Sequence, residues 1–303
     1  MTANGIVIAD KPAGWTSHDV VAKLRGVFHI KRIGHGGTLD PMATGVLPIF
    51  IGRATRAAGF CENAEKEYIA GLRLGIVTDT HDVTGATLSA CDALFSAGDV
   101  QAVIPRFLGA QKQIPPMYSA VKIGGKKLYE SARRGLDVPR PPRDIFISGI
   151  DLLDGGGSEF SLRIICSKGT YIRTLCHDIG AALGCGGAMS SLRRTRAGVY
   201  TIDMAHTLEE LLEAVSTGNA GKIIMPTDTI FSQYPAVELD EAESLKCKNG
   251  APPRAGNLED GKYRFYGPGG EFLLLGEAIS GKIKTIKSFF EPLQDPATPE
   301  CLP

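Results

Sequence analysis

One carboxylate, Asp40, stands in the stretch GHGGTLDPMATGVL (residues 34–47), between a glycine-rich turn and a run of small and apolar residues. Glycines at positions 34, 36 and 37 permit backbone conformations that other residues avoid, and Pro41 restricts Asp40 to an extended geometry. The spacing therefore predicts a carboxylate held in one pose. Spacing alone favours an Asx-type turn, in which Asp40 bonds to nearby backbone. A phosphate cradle is disfavoured because the lysine and the GK[ST] of a P-loop are missing.

Four residues of metal-binding type, Cys166, Cys176, His177 and Cys185, follow one another in the second half of the chain. Their spacing, C-x9-C-H-x7-C, is not that of a structural zinc site, so a metal centre stays a minor alternative. The seven cysteines of the chain follow no disulfide framework of a small secreted domain. We therefore expect reduced thiols.

Length and composition are typical of a globular protein with two domains. The chain has 303 residues, of which 43% are hydrophobic and 22% are charged, enough for a sizeable core. No run of about 18 uncharged apolar residues occurs. The first residues, MTANGIVIADKPAG, lack the basic and then apolar segments of a signal peptide. We expect a cytoplasmic location and no membrane partner.

Charged residues are segregated along the chain although the net charge is zero. Residues 112–143 hold eight basic residues against two acidic ones, whereas residues 203–243 hold one basic residue against nine acidic ones. Arg193, Arg194 and Arg196 form a second basic cluster. One face can therefore be basic enough to bind nucleic acid. A solvated surface without any partner is an equally open interpretation of the same charges.

Hydrophobic periodicity and breaker residues predict strands and helices without a βαβ rhythm. The predicted elements are strands at 6–8, 46–51 and 67–74, a hairpin over 144–167, and helices at 18–28 (capped by Ser17), 97–108, 127–134, 171–183 and 208–215. Paired strands are predicted over residues 261–279. The pattern favours an α+β fold with a mixed, largely antiparallel sheet flanked by helices, and a small β-rich C-terminal domain. The predicted domains are residues 1–230 and 231–290, with a flexible tail at 291–303.

Several longer stretches resemble the TruB family of tRNA pseudouridine synthases. The run GHGGTLDPMATGVLPIFIGRATR is similar to the family signature GHTGTLDP. Other matching stretches lie in the family's order: DKPAGWTSHDVV, KEYIAGLRLGIVTDTHDVTG, QIPPMYSAVKIGGKKLYESAR, CSKGTYIRTLCHDIG and SLRRTRAG. The resemblance spans roughly residues 5–230. The following part, from VELDEAESLKCKNG to LLLGEAISGKIKTIKSFF, resembles a PUA-type RNA-binding module.

The resemblance implies a catalytic role for three residues. Asp40 corresponds to the nucleophilic aspartate, in a family that uses neither a metal nor an organic cofactor. Arg173 corresponds to the arginine that pairs with this aspartate, and a guanidinium can hold a carboxylate in a bidentate fork and lower its pKa. Tyr68 corresponds to the tyrosine that stacks on the target base and moves a proton late in the reaction. Whether Asp40 attacks C1′ or the base stays open.

The resemblance also implies a base pocket and RNA contacts. His35 corresponds to the histidine that meets RNA near the flipped nucleotide, Lys66 could steady its loop or touch phosphate, and Tyr171 and Leu192 line the pocket. Candidates for contacts to the RNA backbone are Lys122, Lys126, Lys127, Arg133, Arg134, Arg193 and Arg194. One departure from the family is Gly36, where threonine is usual. The absence of the threonine side chain puts a local hydrogen bond and the rigidity of the loop in doubt.

The implied activity is the isomerisation of uridine 55 in the T-loop of tRNA by a monomer that needs no cofactor. The enzyme would have to extrude the target base from its stack, as enzymes that act on bases in folded nucleic acids do. Two alternatives come from other classes. One is a catalytically silent protein that binds or folds tRNA on the same scaffold, and the other is a metabolic enzyme with an unrelated glycine loop.

Overall fold

The computed structural model describes residues 3–119, 122–123, 126–128, 136, 138–254 and 256–290, with only the backbone at 122–123 and 126–127. Most of the predicted helix at 127–134 lies outside these residues. So do Arg133, Arg134 and the side chains of Lys122, Lys126 and Lys127. The RNA contacts proposed for these five residues, and the tail at 291–303, therefore stay predictions from sequence.

Strands and helices alternate along the described residues in a mixed arrangement. The strands are β1 (Gly5–Lys11), β2 (Ile33–His35), β3 (Thr44–Ile51), β4 (Lys66–Leu74), β5 (Ile76–Thr78), β6 (Thr87–Ala90), β7 (Gly109–Gln113), β8 (Lys122–Ile123), β9 (Lys126–Lys127), β10 (Arg143–Gly156), β11 (Glu159–Cys166), β12 (Gly187–Ala197), β13 (Tyr200–Thr201), β14 (Ala236–Glu238), β15 (Gly261–Tyr266), β16 (Phe272–Ile279) and β17 (Lys282–Ser288). The α-helices are α1 (Ser17–Phe28), α2 (Ala58–Asn63), α3 (Ala97–Val103), α4 (Ile172–Ala182), α5 (Leu208–Ser216), α6 (Ala220–Ile223) and α7 (Glu241–Lys248). The α+β prediction is confirmed.

The main sheet has the strand order β1-β3-β12-β4-β11-β10-β7, with β2 beside β3 and β13 beside β12. Its ladders are antiparallel except for the short parallel pairing of β3 with β12, where Thr44 faces Arg193 and Gly45 faces Arg194. Gly45 has a φ of +100°, and a Cβ there would lie 2.2 Å from the carbonyl oxygen of Arg194. A glycine is therefore required where β12 passes the strand that follows Asp40.

Helix α1 begins with a capping box rather than with the predicted Ser17 cap. The hydroxyl of Thr16 accepts a hydrogen bond from the backbone N–H of Asp19, and the Asp19 carboxylate accepts one from the N–H of Thr16. The prediction of Ser17 as the cap is wrong because Ser17 is the first helical residue and its side chain is buried. Its hydroxyl instead accepts a hydrogen bond of 2.9 Å from the backbone N–H of Leu39. This contact joins α1 to the segment that carries Asp40.

The other predicted elements agree with the structure to within a few residues. The predicted hairpin is formed by β10 and β11, which pair antiparallel, and the predicted strand 67–74 is β4. The helix predicted at 97–108 is α3, continued by a 3-10 turn at Ile104–Phe107. The pair predicted over 261–279 is β15 and β16.

A four-stranded sheet, in the order β14-β15-β16-β17, forms the C-terminal part of the described chain. Leu275 of β16 and Phe289, the residue after β17, share one buried cluster with Phe50 of the main sheet and with Phe231. The small sheet and the main sheet therefore contribute side chains to one buried cluster. The domain boundary near residue 231 stays a prediction, since this cluster crosses it.

No helix among the described residues is long and apolar enough to cross a membrane.

Candidate active site

An ion pair between Asp40 and Arg173 is the centre of the site. The Nε of Arg173 lies 2.9 Å from Oδ2 of Asp40. The arginine side chain is only 6% exposed, whereas the aspartate side chain is 39% exposed, so Asp40 lies at the edge of the buried site. The predicted partner is confirmed, but the predicted bidentate fork is wrong because the other guanidinium nitrogens have different acceptors. Nη1 donates to the carbonyl oxygen of Thr80, and Nη2 to that of Tyr118.

A second carboxylate, Asp82, completes the arrangement and escaped the sequence analysis. Its Oδ2 lies 3.5 Å from Nη1 of Arg173, and its side chain is 6% exposed. Its Oδ1 accepts hydrogen bonds from the Thr80 hydroxyl at 2.9 Å and from the backbone N–H of Thr84 at 3.0 Å. The signal was available, because Asp82 stands in the matched stretch KEYIAGLRLGIVTDTHDVTG. Arg173 thus lies between two carboxylates.

The pKa of Asp40 is raised above its ordinary value of 3.8, and burial is the largest cause. The charge of Arg173 acts in the opposite direction, and the charge of Asp82 raises the pKa further. The expectation of a lowered pKa is wrong because desolvation and a second carboxylate outweigh the arginine. Asp40 is therefore a stronger base and a better nucleophile than an ordinary aspartate once it is ionised.

Arg194 is buried against the glycine-rich turn and supports its backbone. It is 1% exposed, and its guanidinium donates to the carbonyl oxygens of Val46 at 2.7 Å, Gly37 at 3.2 Å and Thr38 at 3.4 Å. The RNA contact predicted for Arg194 is contradicted by this burial. A guanidinium whose donors are used on three loop carbonyls supports the backbone before Asp40 instead.

Further contacts hold the turn at Asp40 and Pro41. The buried ammonium of Lys11 donates to the Pro41 carbonyl oxygen at 3.2 Å, and the N–H of Gly14 donates to the same oxygen at 2.8 Å. Burial lowers the pKa of Lys11 to about 8. The hydrogen bond that closes the turn runs from the N–H of Ala43 to the backbone carbonyl oxygen of Asp40. The main chain therefore makes the turn and leaves the carboxylate to Arg173, unlike in an Asx-type turn.

Tyr68 and Leu192 lie in the buried cluster beside the ion pair. Both belong to the cluster that contains Leu39, the residue before Asp40, and they are 9% and 8% exposed. Burial raises the pKa of Tyr68, while the charge of Arg194 and a hydrogen bond with it act to lower that pKa. The tyrosine is therefore a neutral phenol at neutral pH. The charge of Asp40 also raises this pKa, and the role of Tyr68 in a base pocket stays a prediction.

Tyr171 sets the start of the helix that carries Arg173. It is the residue before α4, and its backbone N–H donates to the side-chain oxygen of Gln113 at 2.8 Å. The amide nitrogen of Gln113 donates back to the carbonyl oxygen of Tyr171 at 3.0 Å. This two-way bond fixes the first turn of α4, and with it Arg173, against strand β7.

His35 and Lys66 were both predicted near the RNA. His35 is half-buried on β2, burial lowers its pKa, and its buried Nδ1 has no hydrogen-bond partner in the described structure. Lys66 is 6% exposed, and its ammonium donates to the carbonyl oxygens of Glu62 and Ala64 at the end of α2. Of the two roles predicted for Lys66, the structure supports the steadying of the loop and not a phosphate contact.

Arg193 is half-exposed, and it pairs with Thr44, just after the turn at Asp40 and Pro41. Its two terminal nitrogens bind both carboxylate oxygens of Asp10, at 2.7 Å and 3.2 Å, and one of them also reaches the Thr44 hydroxyl. The guanidinium therefore already has a bidentate partner. An RNA phosphate would have to share it with Asp10.

The three glycines that precede Asp40, at positions 34, 36 and 37, differ in their roles. Gly37 alone among them has a left-handed φ, +123°. A Cβ at Gly36 would lie 2.7 Å from the ring of Phe50 and 2.9 Å from the sulfur of Cys61. The space that a threonine side chain needs at this position is thus filled by two buried neighbours.

The metal interpretation gains no support from the described residues, among which no group of three or more metal-binding side chains is found. Burial raises the pKa of the Cys166 thiol to about 11 and that of the Cys176 thiol to about 12.

Comparisons with known proteins identify the class. The fold and the site define a pseudouridine synthase, an isomerase that acts on uridine. Residues 25–172 match the model of the N-terminal domain of TruB family pseudouridylate synthases, and residues 173–232 match the tRNA pseudouridylate synthase B C-terminal domain. The chain belongs to the TruB family.

Relatives and solved structures agree with this assignment. The chain is 42% identical to tRNA pseudouridine synthase B of Syntrophomonas wolfei subsp. wolfei, over 91% of this chain and 93% of that protein. It is 41% identical to the protein of the same name from Azoarcus sp., over 93% of both. A chain in the crystal structure of a Cbf5-Nop10-Gar1 complex superposes with a TM-score of 0.72 at 28% identity, over 94% of this chain and 85% of that one.

Proposed function

We propose that this enzyme converts uridine 55 in the T-loop of tRNA to pseudouridine, with Asp40 as the nucleophile. The observation that carries the proposal is the partly exposed side chain of Asp40, whose carboxylate is held 2.9 Å from the buried guanidinium of Arg173. The relatives named tRNA pseudouridine synthase B support the substrate. The enzyme would act as a cytoplasmic monomer without a cofactor.

The reaction breaks the N1–C1′ bond, turns the uracil within the site and joins C5 to C1′. The C5 proton leaves and N1 gains a proton, so the product is an isomer of the substrate. Attack by Asp40, at C1′ or at the base, divides this change into steps with lower barriers. Both routes use the same carboxylate, and the choice between them stays open.

Arg173 would act through charge and geometry. Its side chain is held by Asp82 and by two carbonyl oxygens. It can therefore keep Asp40 in one orientation while the carboxylate forms a covalent bond and loses its negative charge. A lysine carries the same charge but lacks the planar fork. We expect Arg173→Lys to lower kcat by tenfold or more, which single-turnover assays on a T-loop minihelix can measure.

Tyr68 would stack on the extruded uracil from the buried side of the pocket. Its raised pKa keeps it a neutral phenol at rest, which suits stacking. To accept the C5 proton, Tyr68 must first lose its phenolic proton. The positive charge of Arg194 favours the resulting phenolate. The two roles of Tyr68 therefore belong to different stages of the reaction.

RNA binding would combine base extrusion with backbone contacts. Extrusion costs a few kcal/mol, which stacking and phosphate contacts can offset. The proposed phosphate contacts are Lys122, Lys126, Lys127, Arg133 and Arg134, together with Arg193 if it leaves Asp10. The C-terminal sheet, residues 231–290, would act as a PUA-type module on the same tRNA.

Tritium release from a T-loop minihelix labelled with [5-³H]uridine tests the proposal without added metal or nucleotide. We expect release by the wild type and none by Asp40→Asn, with unchanged binding of the minihelix. Asp144→Asn is the matched control, since its carboxylate is 87% exposed and paired only with Lys112 among the contacts described. We expect full activity from this variant.

Two results would contradict the proposal. Turnover by Asp40→Asn near that of the wild type would remove Asp40 from the nucleophilic role. Tight binding without release by any variant, including the wild type, would favour a protein that binds or folds tRNA without modifying it.

A further inference from the structure

A pair of stacked histidines lies next to the catalytic ion pairs. The ring centroids of His81 and His177 are 4.1 Å apart, and the ring planes differ by 5°. His81 precedes Asp82 in the chain, and His177 lies one helical turn after Arg173 on α4. The same loop and the same helix are therefore joined twice, once by the Asp82–Arg173 ion pair and once by the stack.

The backbone of His81 is adapted to this double contact. Consecutive side chains of an extended segment point to opposite sides. His81 has a left-handed φ of +62°, which is rare for a residue with a side chain. This conformation reverses the chain locally, so that the His81 ring and the Asp82 carboxylate both reach α4. A strained backbone at such a place is retained when the surrounding contacts over-determine it.

The surroundings of the stack favour an uncharged His81 ring. Burial, the neighbouring His177 and the charges of Arg173 and Arg140 lower the pKa of His81 to about 4, while Asp82 opposes them. Asp178 is an ionisable neighbour of His177. The Nδ1 atoms of both rings are buried, and neither has a hydrogen-bond partner in the described structure. A proton on either ring would add a cation next to Arg173.

We propose that His81 and His177 are positioning residues: their stacked rings fix the loop that carries Asp82 and thereby aim Arg173 at Asp40. This inference rests on the proposed function, because its effect is exerted on Asp40. Neither ring needs to touch the RNA. The alternative is that the stack is ordinary packing that contributes to stability alone.

His81→Gly separates positioning from stability. Glycine adopts a left-handed φ without strain, so this variant removes the ring while it relieves the backbone. We expect its melting temperature to equal or exceed that of the wild type, whereas kcat falls about tenfold and KM for the minihelix changes less than twofold. The matched control is His29→Gly, an exposed residue with a φ of +53° at the end of α1. It should be equally stable and fully active.

Two substitutions at the partner ring test stacking itself. His177→Phe keeps a flat ring that cannot be protonated, and we expect kcat within twofold of the wild type. His177→Ala should reproduce the loss of kcat seen with His81→Gly. Carbon-13 labelled histidine provides a second measurement, because the chain has only six histidines. The His81 signal, assigned by its absence in His81→Gly, should titrate near pH 4 and move toward pH 6.5 in His177→Ala.

The outcomes that overturn the inference are distinct from failure of the proposed function. An unchanged kcat in His81→Gly, an equal loss in His177→Phe and His177→Ala, or an effect on KM alone would each exclude positioning by the stack. An inactive wild type would contradict the proposed function. In that case the His81 titration would still test the inference about the stack. A His81 signal that titrates at the same pH in His177→Ala as in the wild type would contradict that inference.

Discussion

Asp40 combines a basic carboxylate with a cationic partner. An exposed aspartate beside an arginine would have a lowered pKa, but Arg173 is shared with Asp82, and burial of the carboxylate is the largest influence. Arg173 therefore orients Asp40 without removing its basicity. The cost is that a larger fraction of Asp40 is protonated, and inactive, in mild acid.

The acid limb of the pH–rate profile should report this raised pKa. Only ionised Asp40 can attack, so kcat should fall as the pH falls through its pKa, with a midpoint above the ordinary 3.8. Single-turnover rates on the minihelix between pH 4 and 8 measure that midpoint. A midpoint at or below 3.8 would contradict the assignment.

Asp82→Asn tests the cause of the shift. Removal of a neighbouring negative charge favours the ionised form of Asp40, so the midpoint should move to lower pH. The plateau rate should nevertheless fall, by about tenfold for each 1.4 kcal/mol of lost positioning of Arg173. An unmoved acid limb would show that Asp82 does not influence the charge of Asp40.

At the scale of elements, the glycine-rich turn depends on how tightly it lies against β3 and α2. Gly36 leaves no room for a side chain, because Phe50 and Cys61 are both buried and lie within 3 Å of where a Cβ would be. The threonine usual in the family would need smaller neighbours here. The rigidity that a threonine hydrogen bond could supply is replaced by close packing and by the contacts of Arg194 with Gly37 and Thr38.

Gly36→Ala should therefore be destabilising. Overpacking of a well-packed core costs about 1–3 kcal/mol, which thermal or denaturant unfolding can measure. Gly26→Ala is the control, because Gly26 is inside α1 and a Cβ there meets nothing within 4 Å. That change should stabilise the protein by about 0.4–1 kcal/mol. Equal effects of the two substitutions would contradict the close packing of Gly36.

At the scale of the whole molecule, the C-terminal sheet is anchored on the catalytic part by aromatic packing. Phe289 stacks on Phe272 at 5.0 Å between ring centroids and lies 5.7 Å from Phe231, whose ring meets Phe60 of α2 edge-on. The hydroxyl of Tyr266 also donates to Asp228, in the 3-10 turn before the predicted boundary. Deletion of residues after 231 would expose this cluster, so full-length variants are the better test of the interface.

Phe289→Ala should loosen the interface without touching the active site. Phe289 is 5% exposed, and truncation of a buried phenylalanine costs about 3–5 kcal/mol. We expect a clearly lower melting temperature with single-turnover rates on bound minihelix unchanged at low temperature. Ile279→Ala, at a side chain that is 48% exposed on the neighbouring strand, should leave the melting temperature within about a degree. A loss of bound-state turnover in Phe289→Ala would show that the small sheet also shapes the catalytic site.

The sequence by itself determined the local properties of this protein. Alternating hydrophobicity predicted β4, because side chains in a strand alternate between two faces whatever lies beyond it. A glycine turn between two runs predicted the β10–β11 hairpin. Its motifs also carried the resemblance that named Asp40, Tyr68 and Arg173. These properties depend on short stretches of chain, which a sequence displays directly.

Only the tertiary structure decided how charges are shared between distant segments. The sequence predicts Arg194 as a surface cation. Pairing of β12 with β3 instead buries it, and its guanidinium donates to the carbonyl oxygens of Gly37 and Thr38, more than 150 residues away in the chain. The role of Asp82 likewise depends on α4, whose Arg173 is 91 residues further on. Burial and partner choice are properties of the packed molecule, so they set the pKa of Asp40 in a way that no local pattern contains.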